Sequence, residues 1–268
     1  MTRTVSEVGP TPQPGYAFGD TPDASDRLDV LAAVFAPTSR ALLRSLPCAP
    51  ALVLDLGCGP GHTSAMVAEA FPGARVVGID TSPAFVAEAG ASGTERCHFT
   101  VGDVTRTPLP CAPADLVYAR FLLVHLRHPA AVAAAWVGEL RPGGVLVLEE
   151  PEAIDTADPD FRRYLELAET VVAARGGDLY VGRRLTGVSP PAGAEVLVQR
   201  EVPLAVTAGS AARIFSLNLG TWRHDPALTG VAGPEETAAL LHRLQRRAGD
   251  ASTGVIRWHM RQVVVTRT

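Results

Sequence analysis

The chain has 268 residues, 47% of them hydrophobic and 19% charged, with a formal net charge of −4. That length allows one large α/β domain or two small ones, and so much apolar material excludes disordered, collagen-like and disulfide-scaffold classes. All 24 basic residues are arginine, and the absence of lysine excludes Schiff-base, P-loop and protein-kinase lysine chemistry.

In chain order, residues 1–15 read as a lead-in carrying Pro10, Pro12 and Pro14, with no apolar stretch of the kind a signal peptide needs. From Ser25 to Leu46 the apolar positions Leu28, Leu31, Val34, Phe35, Leu42 and Leu43 recur at helical spacing, with Pro37 expected to break or kink the segment. Ala51–Leu56 is a short apolar run ending at glycines, as a buried parallel strand does. Helices are predicted at Thr63–Phe71, at Ser82–Ala89 with Pro83 in its first turn, and around Ala130–Leu140. Strands are predicted at Arg75–Ile79, His98–Val101, Ala114–Ala119 and Val145–Glu149, the last preceded by a turn at Arg141-Pro142-Gly143-Gly144. This alternation implies a parallel, doubly wound sheet. Beyond it, Phe161–Arg175 is helical, and Ala194–Val202 and His259–Thr266 alternate like an exposed or antiparallel pair. Two more helical patterns, Ala211–Leu219 and Glu235–Arg247, lie between those strands.

Charge and cysteine usage narrow the partners. Arg243, Arg246 and Arg247 form the densest basic run, on an amphipathic stretch that reads as a solvated helix face rather than a nucleic-acid footprint. Cys48, Cys58, Cys97 and Cys111 show no metal-ligand spacing and read as reduced thiols, so no metal site is expected. No apolar run approaches the ~18–20 residues a membrane span needs. The expectation is a soluble cytoplasmic protein, monomer or homodimer, with no nucleic-acid or membrane partner.

Chemistry concentrates at Val53-Leu54-Asp55-Leu56-Gly57-Cys58-Gly59-Pro60-Gly61. A strand runs into three alternate glycines and then a helix, which lets a ligand press against main-chain amides near a helix N-terminus. The dinucleotide fingerprint wants a glycine where His62 stands, which lowers nicotinamide or flavin binding. Asp80, 25 positions after Asp55, ends the second strand. Its carboxylate can accept from both hydroxyls of a ribose, or it can cap the helix that follows.

The stretch Leu52–Gly61 closely resembles the first motif of class I S-adenosylmethionine (SAM)-dependent methyltransferases. The resemblance continues in order through Val76–Asp80, Gly102-Asp103-Val104, Asp115–Arg120 and Leu140–Gly144, covering residues 52–150. It implies an α/β, doubly wound (Rossmann-like), mostly parallel seven-stranded sheet with an antiparallel last strand. A helical N-terminal cap at 1–50 would precede a SAM-binding domain at 51–268, with a lid insertion at about 203–256. Carried over residue by residue, the resemblance implies SAM as cofactor. Gly57 and Gly59 would lie in its loop, Asp55 would order its methionine end, and Asp80 with Thr81 would hold the ribose. Asp103 and the Val104 amide would face adenine, Arg120 would lie under the cofactor, and Tyr16 and Arg27 would close over it.

Methyl transfer from a sulfonium is an in-line displacement, so the protein chiefly supplies proximity, and a base is needed only if the acceptor must lose a proton. The candidate bases are His125, in an apolar stretch where a structural histidine is the alternative, and His224. Candidate acceptor contacts are Glu150 in Glu149-Glu150-Pro151-Glu152, Trp222 and Arg223 in the insertion, and Tyr180 with Arg183 and Arg184. Solvated turns or ordinary loops explain the same residues. The composition suits a GC-rich bacterial source, in which such enzymes often tailor secondary metabolites. The functional expectation is methyl transfer to oxygen, nitrogen or carbon of a small molecule. The alternatives are a methyltransferase-fold protein that uses SAM for a cyclisation, or a nicotinamide oxidoreductase.

Overall fold

The computed structural model describes residues 22–187, 190–249 and 254–268. The elements in order are α1 (Pro22–Ser45), β1 (Leu52–Leu56), α2 (His62–Ala70), β2 (Arg75–Asp80), α3 (Pro83–Ser92), β3 (Cys97–Val101) and β4 (Ala114–Arg120). They continue with α4 (Pro129–Gly138), β5 (Leu140–Asp155), α5 (Pro159–Ala174), β6 (Ala194–Thr207), α6 (Ala208–Trp222), α7 (Pro234–Ala248) and β7 (Val255–Arg267). Seven strands form one sheet in the order β3-β2-β1-β4-β5-β7-β6. β7 runs antiparallel to both of its neighbours, and the remaining pairs are parallel. The expected doubly wound sheet with an antiparallel last strand is the architecture found.

Side-chain alternation along β1 explains the layering. Leu52, Leu54 and Leu56 join a core on one face with Trp136 and Val137 of α4. Val53 joins the opposite core with Leu42 and Leu43 of α1 and Met66 and Val67 of α2. A third core lies apart from these two, where Leu31 and Phe35 of α1 pack with apolar side chains of α5, α6 and α7 and with Trp258 and Met260 of β7. α1 therefore belongs to both halves: its later residues brace the sheet, and its earlier ones join the helical cap. Pro37 stands inside one continuous helix rather than ending it.

Several boundaries differ from the sequence reading, with β6 running on to Thr207 and β7 starting at Val255. β5 runs for 16 residues rather than about five, because β7 pairs with it as far as Asp155↔Arg257 and holds it extended past Glu149. The predicted turn at Arg141–Gly144 is absorbed within this strand, with Gly143 at φ +78° beside a register shift between Ala114 and Leu116. α6 likewise extends past Leu219 to Trp222. Among the described residues, no helix is long and apolar enough to cross a membrane.

Candidate functional site

The sheet order reverses between β1 and β4, and in open α/β sheets ligands bind at the carboxyl ends of the strands flanking such a switch point. A cavity of about 540 Å³ lies there, within the range of small-molecule sites. Its floor is the glycine loop after β1. Gly57, Gly59 and Gly61 have φ of +65°, +53° and +95°, the left-handed region where a side chain is strained. A Cβ on Gly57 would stand 2.8 Å from Leu122 Cδ1, and one on Gly61 would stand 3.1 Å from Ala89 Cβ. The Gly57 and Cys58 amides donate to the Ile79 carbonyl at 2.8 and 3.3 Å, tying the loop to β2.

Asp80 ends β2 on the cavity wall, where its two oxygens accept from the Gly59 and Ser82 amides at 2.9 Å each. The cap of α3 is Ser82, whose hydroxyl accepts from Phe85 N at 3.2 Å, so Asp80 is not needed for that task. A carboxylate offers roughly four acceptor sites, so one can accept from several donors at once. Asp103, on the same wall, accepts from the Thr105 amide and hydroxyl at 3.0 and 2.6 Å and pairs with Arg106 at 3.3 Å. The neighbouring Val104 is buried, and its carbonyl accepts from Trp136 Nε1 at 2.8 Å. Asp55 lies behind the loop, fully buried, accepting 2.6 Å hydrogen bonds from the Thr63 and Ser64 hydroxyls. Burial pushes its carboxyl up to about 6, against the pull of those hydroxyls and of Arg120.

The opposite wall comes from the cap. Phe121, with φ +55°, is a non-glycine residue in the left-handed region just after β4. The strained backbone there places its ring edge-on to Phe35 at 4.8 Å and to Trp258 at 6.3 Å. Tyr164 of α5 stacks on Phe215 of α6 at 4.1 Å, and Phe215 in turn lies 6.2 Å from Trp258 with its ring plane tilted by 25°. Tyr164, Phe215, Trp258 and Phe121 all line the cavity. A buried polar chain joins them: Arg27 Nη1 donates to Asn218 Oδ1 at 3.2 Å, and Asn218 Nδ2 donates to the Tyr164 hydroxyl at 2.7 Å. Burial raises the Tyr164 phenol and keeps it protonated. His125 also lines the cavity, and burial, reinforced by the nearby Arg27 guanidinium, drives its imidazole down to about 3.

The residues expected to meet a cofactor or acceptor thus divide. Arg27, Gly57, Gly59, Asp80, Thr81, Asp103, Val104, Arg120 and His125 line this one cavity, and Asp55 supports its floor from behind. Tyr16 lies outside the described residues. Glu150 does not line the cavity: it is buried, accepts from the Leu122 and Leu123 amides at 3.0 and 2.8 Å, and holds the turn after β4. Burial pushes its carboxyl up to about 8. Glu149 is likewise buried between the Tyr118 hydroxyl at 2.7 Å and Gln262 Nε2 at 2.8 Å. The long pairing of β5 with β7 makes this segment core rather than a solvated turn.

Tyr180 and Arg183 stack on each other, with the guanidinium 4.7 Å from the ring centroid, and Arg183 donates to the Glu152 carbonyl; neither lines the cavity. Arg184 is exposed. Trp222 is buried in the cap core against Tyr164, behind the cavity wall. Arg223 and His224 follow the last residue of α6, hydrogen-bonded to one another at 3.1 Å, with His224 exposed and outside the cavity. Sequence reasoning missed the aromatic wall, Leu28, Leu122 and the role of Asn218. The signal available for Asn218 was that it is the only asparagine in the chain.

Residues 53–144 match the methyltransferase domain family model. Over these residues the chain is similar to methyltransferase domains. Trans-aconitate 2-methyltransferase of Methylobacterium radiotolerans is 38% identical over 157 residues, 58% of this chain and 59% of that protein. The protein of that name from Streptomyces avermitilis is 37% identical over 130 residues, 47% of each. The chain spans about half the length of the curated relatives it matches. A chain of the solved Haloferax volcanii complex between the Trm112 methyltransferase activator and a methyltransferase shares the fold, with a TM-score of 0.57 and 19% identity. That match covers 92% of this chain and 96% of the other.

Proposed function

We propose that the protein transfers a methyl group from SAM to a small-molecule acceptor held beneath the cap, in secondary metabolism. The observation that carries this reading is convergence. The glycine loop, Asp80 and Asp103 face into the same cavity that the cap lines with aromatic rings. The residues present fit the cofactor. Asp80 would accept from ribose hydroxyls, Asp103 and the Val104 amide would read adenine, and the left-handed glycines would let the methionine portion approach main chain.

When bound, the sulfonium supplies an electrophilic methyl and departs as a neutral thioether. The chain's own contribution is placement. Arg120 anchors on the Ser39 hydroxyl at 3.1 Å and shapes the floor. α1 closes over the loop, with Leu28 Cδ1 3.4 Å from where a Cβ on Gly59 would stand. The cap helices exclude water from the reacting centre. His125 remains neutral through burial, so it adds no positive charge to a cavity that must admit a cation. The N-terminal helix and the insertion after β6 act together as one cap, because they share a core.

The test is incubation with methyl-labelled SAM and candidate acceptors, followed by separation of the products. Label on the acceptor supports the reading. Label retained on SAM while an acceptor is isomerised refutes it.

A further inference from the structure

We propose that His62, oriented by Asp29 of α1, is the base of the reaction, and that the acceptor is a neutral hydroxyl compound whose proton passes to His62 as its oxygen takes the methyl group. This rests on the methyl-transfer reading above.

His62 is the first residue of α2 and stands where a dinucleotide fingerprint wants a glycine, so the loop carries an imidazole there instead of bare backbone. The ring lines the cavity, and its buried Nε2 lies 2.7 Å from Asp29 Oδ1. A carboxylate at that nitrogen selects the tautomer with the proton on Nε2 and leaves the Nδ1 lone pair for a ligand. A partner acid orients the histidine base of a hydrolytic triad in the same way. Nδ1 has no hydrogen-bond partner among the described residues.

The position suits the role. Arg27 and Asp29 share one turn of α1: Arg27 reaches Asn218 of α6 at 3.2 Å, while Asp29 reaches the first residue of α2. That turn therefore spans from the cap to the glycine loop, and the imidazole stands where the two halves of the cavity meet. The pair is also partly open to water, with side chains 37% and 59% exposed, so a captured proton can leave after turnover. Other groups are less suited. His125, the other histidine lining the cavity, is driven down to about 3, and Asp55 is enclosed by the Thr63 and Ser64 hydroxyls. Asp80 is engaged by the Gly59 and Ser82 amides, and Asp103 by Thr105 and Arg106.

A base has a use only if the attacking atom bears a proton, which the oxygens of a carboxylate do not. A protonated amine would bring a second positive charge beside the sulfonium, among Leu28, Leu31, Phe121, Leu122 and Ile214. A neutral hydroxyl adds none. Its oxygen forms the new bond to the methyl carbon, and the carbon–sulfur bond breaks with its electron pair going to sulfur. The hydroxyl proton moves to His62 Nδ1, where Asp29 balances the imidazolium, and then to water. The products are a methyl ether, the demethylated cofactor and one proton.

The experiment measures transfer from methyl-labelled SAM to 4-ethylphenol, to 4-nitrophenol, which is already ionised at mildly alkaline pH, and to trans-aconitate as a carboxylic acid. Affinity for S-adenosylhomocysteine (SAH) is measured by calorimetry on each protein. In His62→Gln, kcat for 4-ethylphenol should fall about 100-fold or more, while that for 4-nitrophenol falls less than about fivefold and SAH affinity stays within about threefold. Asp29→Asn should lower kcat for 4-ethylphenol about tenfold with KM nearly unchanged, again sparing 4-nitrophenol. It carries the same comparison if His62→Gln fails to fold by circular dichroism. Equal losses on both phenols would make the pair a structural tether between α1 and the loop and overturn the proposal. Wild-type rates in both variants also overturn it, as does wild-type protein that binds SAH but methylates neither phenol or prefers trans-aconitate. Failure of natively folded wild-type protein to bind SAH at all sinks the methyl-transfer reading itself, which is a different outcome.

Discussion

Asp80→Ala offers the sharpest dissection of the cofactor wall. In the native protein the carboxylate spans two amides, Gly59 N and Ser82 N, both at 2.9 Å, and it stands half-buried at the mouth of the loop. Removing it leaves those amides open to water in a partly exposed site, so folding stability should fall by no more than about 1 kcal/mol. Cofactor binding should fall further. Hydrogen bonds to a charged acceptor contribute roughly 1.5–3 kcal/mol each, and two ribose hydroxyls on this carboxylate would contribute about 3 kcal/mol together at the low end. At about 1.4 kcal/mol per tenfold change, the dissociation constant for SAH should rise roughly 100-fold. Asp80→Asn keeps the shape but must turn its NH₂ toward one of the two amide donors, so its loss should lie between wild type and alanine. Titration calorimetry with SAH, paired with urea unfolding of each variant, separates the two effects. A dissociation constant within about twofold of wild type in Asp80→Ala would show that the carboxylate only organises the loop, and the ribose assignment would be wrong.

Three other perturbations probe separate parts of the account. Gly57→Ala should lower unfolding stability by about 1–3 kcal/mol in urea, because the left-handed φ costs about 1–2 kcal/mol and Leu122 must move from a Cβ 2.8 Å away; an unchanged midpoint would contradict this. Glu150 holds its proton up to about pH 8 in the fold but ionises near ~4.3 when unfolded, so native stability should decline as pH rises across that window. Glu150→Gln, whose amide oxygen can accept from the Leu122 and Leu123 N–H groups, should flatten that decline in melting temperature, and a slope identical to wild type would refute the assignment. His224→Ala should leave both turnover and SAH affinity unchanged, since the ring is exposed and bonded to Arg223 outside the cavity, whereas a large loss of kcat would restore it as a candidate base.

The glycine-loop wall of the cavity was legible because each of its parts is local. A strand, a glycine loop and a helix lie within a dozen residues, and Asp80 and Asp103 announce themselves as acids at strand ends. The aromatic wall was not legible, because Phe121, Tyr164, Phe215 and Trp258 come from four distant segments and meet only when α5 and α6 fold back over the sheet. Each looks in sequence like ordinary core. The stretch 218–225 shows how much a boundary matters. Taken as a loop, it offered Trp222, Arg223 and His224 to the acceptor. With α6 continuing to Trp222, Asn218 turns inward to Arg27 and Tyr164, Trp222 enters the cap core, and the two residues after the helix face outward. Glu150 illustrates the reverse case, an acid that reads as a surface turn until the partner strand β7, more than a hundred residues later, buries it.

The absence of lysine, first useful only for excluding chemistry, leaves anion recognition to arginine, and the fold places Arg27 in the cap half of the cavity. The central claim remains that this cavity is built for SAM. A calorimetric titration of the purified chain with SAH, repeated with NAD, tests it most directly. The account predicts one saturable SAH site per chain and no competition from NAD. Binding of NAD in preference to SAH, or a folded protein that takes up neither, would contradict it.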